Sequence, residues 1–341
     1  MNLLTANLDT FSLKSFFSRL DTLDLEFFSN SGGSHALNVA IGLIMFGVAL
    51  ELKLDDFKKL LSSPKSVILG LISQFLLLPL VTFLLCIALS PWITPTVALG
   101  MVLIAACPGG NVSNFITSMS KGNTALSVSL TAISTSLTVI MTPLNFALYG
   151  KWITKFFSEK TAQDMVVPLE IEFSQLFTTI FIILGIPIIL GVLFRRYKPV
   201  LVERIQPYLK KLSFVLLLAI MGVAIFQNMK YLAQYAAAIF ILVAIHNALA
   251  FMVGYSFSSA FRLSRYDRRA ISIETGIQNG GLALALLFNP KIFPPELPIG
   301  GIAFIAAGWG VWHIIGGTIL ASFWRRRKIE NDSEDIRKVE N

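Results

Sequence analysis

Charge is scarce in this sequence: only 14% of its 341 residues are Asp, Glu, Lys or Arg, where soluble proteins carry about a quarter. That excludes a water-facing surface spread along the whole chain. Cysteine is scarce too. Cys86 and Cys107 both lie in apolar runs, so a disulfide framework is not indicated, and no Cys or His falls at metal-ligand spacing. The three histidines are His35, His246 and His313; each reads first as a helix-to-helix hydrogen bond. A basic leader with a clean apolar core is missing, which argues against a signal peptide. No Ser/His or paired-Asp arrangement of enzymatic character is present, and His313 has no nucleophile beside it.

Apolar length is what the chain has in quantity. It is 55% hydrophobic, and a bilayer core about 30 Å thick needs roughly 20 apolar helical residues to cross it. Nine segments qualify: 36–52, 66–89, 96–119, 124–149, 173–194, 212–228, 232–260, 270–290 and 298–324. The expected fold is therefore an all-α polytopic membrane protein. Residues 10–28 add an amphipathic helix, with Leu13, Phe16, Phe17, Leu20, Leu23 and Phe27 on one face. Such a helix either lies in the membrane interface or packs on the protein's flank.

The net charge of +8 does not point to nucleic acid, because the basic residues sit between apolar segments, where they orient the chain. Twenty-one of the 28 Lys and Arg residues fall on one side of the nine-span arrangement. This predicts a cytoplasmic C-terminus, an outside N-terminus and a multi-pass location in the cell membrane, as in a bacterial inner membrane. The expected organisation is an N-terminal segment 1–34, a first repeat 35–149, an external link 150–172, a second repeat 173–324 and a charged cytoplasmic tail 325–341. The sequence leaves the oligomeric state open.

Two of the segments are abnormal. One reads Cys107-Pro108-Gly109-Gly110-Asn111-Val112-Ser113-Asn114, the other Glu274-Thr275-Gly276-Ile277-Gln278-Asn279-Gly280-Gly281. Both place helix breakers and polar side chains at membrane depth. Freed backbone groups cost several kcal/mol each in hydrocarbon, so such breaks survive only where protein, ion or water satisfies them. One break in each half is the pattern of an inverted-repeat transporter. A kinked packing helix is the blander explanation for either one alone.

Glu274 is the one acidic residue placed deep in a span. Membrane-buried acids are costly and need a partner, yet no Lys or Arg falls mid-span. A bound cation or a proton remains. Oxygen donors favour the cation: Ser113, Asn114, Ser127, Thr131 and Gln278 are at hand, and oxygen-only coordination suits a hard ion. Ser127 and Thr131 are four apart and share a helix face. Other hydroxyls between Thr124 and Thr138 are candidates for bonding their own helix carbonyls.

These motifs, with KGNTALSVSLTAIST and the upstream SQFLLLPL, resemble the bile acid:sodium symporter family over about residues 36–324. The resemblance implies panel and core domains, two discontinuous helices crossing near mid-membrane, and sodium-coupled symport of a small organic anion by alternating access. It implies two sodium sites. The first would use Ser113, Asn114, Ser127, Thr131 and Glu274. The second would use Gln74, Glu274, Gln278 and the carbonyls of Thr275 and Ile277. The substrate would lie beside the crossing, near Asn111, Asn279, Pro108, Gly109 and His313, where half-helix N-termini favour a carboxylate. The chain departs from the family in three places. It shows one helix fewer than familiar ten-helix bacterial members, Ile314 follows Trp312-His313 where Asn is usual, and Asn111 stands where a smaller residue is common.

Overall fold

The computed structural model describes residues 13–21, 39–50, 64–160, 173–287, 292–293 and 299–326, apart from 41, 45, 48 and 228. Among them every regular element is a helix. They are α1 (Leu13–Asp21), α2 (Pro64–Leu89), α3 (Pro95–Ala106), α4 (Val112–Met119) and α5 (Thr124–Lys160). After the break at 161–172 come α6, running Phe173–Ile180 and Ile186–Tyr197 through a π-turn, then α7 (Pro199–Gln227) and α8 (Met229–Ala260). The last three are α9 (Arg265–Gly276), α10 (Gly280–Leu287) and α11 (Gly300–Arg326). Further helical turns lie between residues 39 and 49.

Four of these are long and apolar enough to cross a membrane unaided: Pro64–Leu89, Thr124–Glu159, Tyr235–Ala260 and Gly300–Arg326. Their outward faces carry apolar residues such as Ile241 and Met252, each more than 60% exposed. A surface of that kind belongs in lipid rather than water.

The two broken segments are built alike. Each has a twelve-residue half followed by an eight-residue half, α3 with α4 and α9 with α10. At 1.5 Å per residue the halves are about 18 and 12 Å long. Each break is therefore flanked on both sides by two or more turns of helix. Pro95 sits in the first turn of α3, where its missing N–H costs nothing, and Thr94 caps that turn. Ser264 caps α9 by accepting from the Asp267 N–H. α3 packs on α5 and α11, and α9 packs on α8. The α3–α11 approach depends on Gly100, where a Cβ would stand 2.9 Å from the Ile302 Cα.

Several boundaries differ from the sequence expectation. α5 runs on through Lys160, so the first part of the 150–172 link is helical; 161–172 lies outside the described residues. α7 begins at Pro199, which turns most of the basic connection before 212 into helix around Pro207. α9 begins at Arg265 and buries Asp267 and Arg269. Glu274 is therefore not the sole acid held inside the protein. At the N-terminus, Phe17 and Leu20 of α1 are buried, and the Phe16 ring lies 4.6 Å from Tyr235 of α8. This part of the amphipathic segment rests on the protein; 10–12 and 22–28 lie outside the described residues.

Candidate functional site

The breaks meet each other. Gly109 and Gln278 form an isolated antiparallel bridge. The Gly110 N–H donates to the Ile277 carbonyl at 3.0 Å, and the Asn279 N–H donates to the Pro108 carbonyl at 2.8 Å. Backbone groups freed by one break thus satisfy those freed by the other, which answers the cost of unpaired amides at this depth.

Neighbouring helices close the remaining ends. Thr142 Oγ1 on α5 donates to the Ala106 carbonyl at the end of α3, at 2.7 Å. Asn247 Nδ2 on α8 donates to the Gly276 carbonyl at the end of α9, also at 2.7 Å. Asn279 Oδ1 accepts from the Leu282 N–H and caps α10.

Glu274 lies one turn before the second break and is 2% exposed. Ser113 Oγ on α4 donates to its Oε2 at 2.6 Å, as does Ser127 Oγ on α5 at 2.9 Å. Thr131 Oγ1 donates to Oε1 at 2.5 Å. Asn114 Oδ1 lies within reach of the same two α5 hydroxyls, at 2.9 Å from Ser127 and 3.3 Å from Thr131, and Thr131 Oγ1 is also 3.0 Å from the Ser127 carbonyl of its own helix; each hydroxyl has one proton to share among these acceptors. All five residues expected at the first ion site therefore converge. The other hydroxyls of the stretch turn inward on their own helix: Ser129 donates to Ala125, Ser136 to Ala132 and Thr138 to Ser134.

The second group surrounds Gly109. A Cβ at that position would stand 2.5 Å from Glu274 Oε1 and 3.2 Å from Gln74 Nε2. Glycine is what lets the chain pass between these side chains. Gln278 Nε2 donates to the Thr275 carbonyl at 2.7 Å. Gln278 Oε1 and Gln74 Nε2 are buried polar atoms with no hydrogen-bond partner. Buried polar groups are rarely left so. The amide oxygen and nitrogen of Gln74 exchange places by a half-turn of the carboxamide, so this side chain can offer either group at the crossing. Gln74 stands in a π-turn, Ser73–Leu77, of α2. Such turns recur at functional sites; here Asn145 Nδ2 satisfies the Phe75 carbonyl at 2.9 Å.

Among the described residues no group of three His, Cys, Asp or Glu exists that could hold a transition metal. Among the described residues the ion pair Lys155–Glu159, at 3.8 Å, lies near the C-terminal end of α5, away from this site. A single carboxylate among hydroxyl and amide oxygens suits a hard monovalent ion better than a soft or highly charged one.

The residues expected near substrate divide. Asn111 and Asn279 are partly exposed, one at each break. Pro108 and Gly109 are buried in the crossing, and Gly109 faces the side chains of Glu274 and Gln74. His313 is buried on α11 beside Gly280, and its Nδ1 has no partner. Thr142, Asn145 and Asn247 carry no mark of these roles in their sequence context. Each is a single polar residue in an apolar helix, without periodic context.

Paired broken helices that exchange backbone hydrogen bonds around a buried carboxylate define a polytopic membrane transporter of the crossing-helix type. The chain belongs to the sodium bile acid symporter family, whose sequence model matches residues 38–235. It is 33% identical over 298 residues to an uncharacterized sodium-dependent transporter of Bacillus subtilis (strain 168), covering 86% of this chain and 84% of that one. It is 32% identical to a probable chloroplastic sodium/metabolite cotransporter of Oryza sativa subsp. japonica, over 88% of this chain and 66% of the relative. Sodium/bile acid cotransporter 4 of Rattus norvegicus is 28% identical, over 89% and 69% respectively. The protein is a sodium-coupled membrane transporter and not an enzyme.

Proposed function

We propose that this transporter imports a small organic anion, a carboxylate in the simplest case, with two sodium ions bound at the helix crossing. The observation that carries this reading is Glu274: a buried carboxylate with three hydroxyl donors, flanked by two glutamine side chains with unpaired ends. An ionised carboxylate is acceptor-only, so three donors suit the charged form; one cation neutralises it, and the second is held by the shared carboxylate together with neutral oxygens. One anion shared between two cations also reduces their mutual repulsion. Site 1 comprises Ser113, Asn114, Ser127, Thr131 and Glu274. Site 2 comprises Gln74, Glu274, Gln278 and the carbonyls of Thr275 and Ile277.

The substrate docks outside the crossing, where Asn111 and Asn279 stand at the N-terminal ends of α4 and α10. Partial positive charge at helix N-termini favours an anion. Pro108, Gly109 and His313 shape the floor of this place. Ion binding tightens the crossing, substrate follows, and the crossing helices move against the rest of the molecule to open the other side, with the basic connections facing the cytoplasm. The cell membrane is the location this requires.

The test is uptake of labelled organic acids into liposomes containing the purified protein. An inward sodium gradient drives accumulation of at least one acid, and a pH gradient without sodium drives none. Accumulation under the pH gradient alone would transfer the coupling role to a proton on Glu274.

A further inference from the structure

A second polar layer lies beneath the ion ligands, and it uses the same three helices. Asp267 precedes Glu274 on α9 by seven residues, Asn123 precedes Ser127 at the head of α5 by four, and Ser66 precedes Gln74 on α2 by eight. Those separations are two turns, one turn and just over two turns, so each member of the layer shares a helix face with an ion ligand. Asp267 is 8% exposed. Its Oδ2 accepts from Ser66 Oγ at 2.8 Å, and its Oδ1 accepts from Asn123 Nδ2, also at 2.8 Å. Its own N–H is held by Ser264 Oγ at 3.1 Å. Asn123 works in both directions, because its Oδ1 caps α5 through the Leu126 N–H at 3.0 Å. The Asn123 N–H reaches the Tyr266 carbonyl at 3.0 Å. Arg269 Nη1 closes the same junction on the Ser120 carbonyl at 2.6 Å.

We propose that Asp267 is a positioning residue for sodium: by tying α2 and α5 to α9, it fixes the spacing between Gln74, the Ser127–Thr131 pair and Glu274. The layer touches no ion. It acts by holding three independent helices in one register, because ligand sets bind weakly when their supporting contacts are loose. The proposal rests on the reading of the crossing as the ion site. It adds that ion affinity is set about 10 Å away along α9, at the rise of 1.5 Å per residue.

The experiment measures sodium-dependent thermal stabilisation and sodium-driven uptake for the full chain in lipid nanodiscs and liposomes. Asp267→Ala removes both acceptors; asparagine would not serve, because its amide can donate to Ser66 Oγ while its oxygen still accepts from Asn123. Ser66→Ala removes one arm only and stands in if Asp267→Ala does not fold. In either variant the sodium concentration for half-maximal stabilisation rises about threefold to tenfold, less than the 10–100-fold seen for direct outer-shell partners. The half-saturating substrate concentration at saturating sodium stays within about twofold, since only positioning for the ion is altered. Ser66→Ala combined with Asp267→Ala raises the sodium requirement no further than Asp267→Ala alone, because Asp267→Ala already cuts the Ser66 connection. A lowered melting temperature with an unchanged sodium half-saturation overturns the proposal and leaves Asp267 a structural residue. Glu274→Gln is the control for the underlying reading. If it responds to sodium like the unaltered protein, the ion site itself is misplaced; if it loses the response while Asp267→Ala and Ser66→Ala keep theirs, only the positioning role falls.

Discussion

Gly109 on one broken segment and Gln278 on the other face each other as an antiparallel bridge, and the carboxylate of Glu274 lies against the open side of that glycine. The backbone of one half of the chain is thus in contact with the buried carboxylate of the other. With the proposed ions bound at that carboxylate, a change in occupancy bears directly on how the two segments sit together, which is what coupling of ion to movement requires.

Gly109→Ala tests that proximity. The added Cβ would press on Glu274 Oε1 at 2.5 Å, inside any normal contact. Sodium-driven uptake falls about a hundredfold, on the scale expected when functional groups are displaced by an ångström. The protein still inserts and elutes as a single species on size exclusion.

Gln74→Ala removes one unpaired amide from the second group while leaving the hydroxyls around Glu274 in place. The sodium concentration for half-maximal uptake rises about tenfold. A sodium titration of initial rate checks this; an unchanged half-saturation would remove Gln74 from the site.

Thr131→Val keeps the side-chain shape and removes the hydroxyl that donates to Glu274 at 2.5 Å. Sodium affinity falls while maximal uptake at high sodium partly recovers. Thr138→Val, whose hydroxyl only bonds its own helix at Ser134, leaves sodium dependence unchanged. The pair separates ligand hydroxyls from packing hydroxyls on one helix.

Thr142→Val and Asn247→Leu each leave a half-helix carbonyl without its donor. An orphaned buried acceptor costs about 1–3 kcal/mol. Both variants melt at lower temperature than the unaltered protein, and the loss is read in thermal unfolding without sodium.

Much of this site was legible in the residues. Pro108, Gly109, Gly110 and the Gly276-to-Gly281 stretch mark the two breaks, because helix breakers inside apolar runs have few other uses. Glu274 is conspicuous as a charge without a partner. Ser127 and Thr131 share a face by spacing alone. Other parts leave no periodic trace. Thr142 and Asn247 act through single carbonyls on distant segments, and nothing local distinguishes them from ordinary polar helix residues. Asp267 and Arg269 sit in a basic turn that reads as water-facing, and the packing of α9 against α2, the α4–α5 turn and α11 buries them. The π-turn at Ser73–Leu77 is likewise invisible, since its sequence fits an unbroken helix. Helix ends in water, as at Lys160 and Pro199, continue where apolar periodicity stops, because charged residues also form helix.

The most direct measurement is equilibrium binding of radioactive sodium to the purified protein. The account predicts about two sodium ions per chain for the unaltered protein, from the shared role of Glu274 in both sites. It predicts none at the same concentrations for Glu274→Gln, with the variant folded and monodisperse. Sodium bound by Glu274→Gln with unaltered amount and affinity would contradict it.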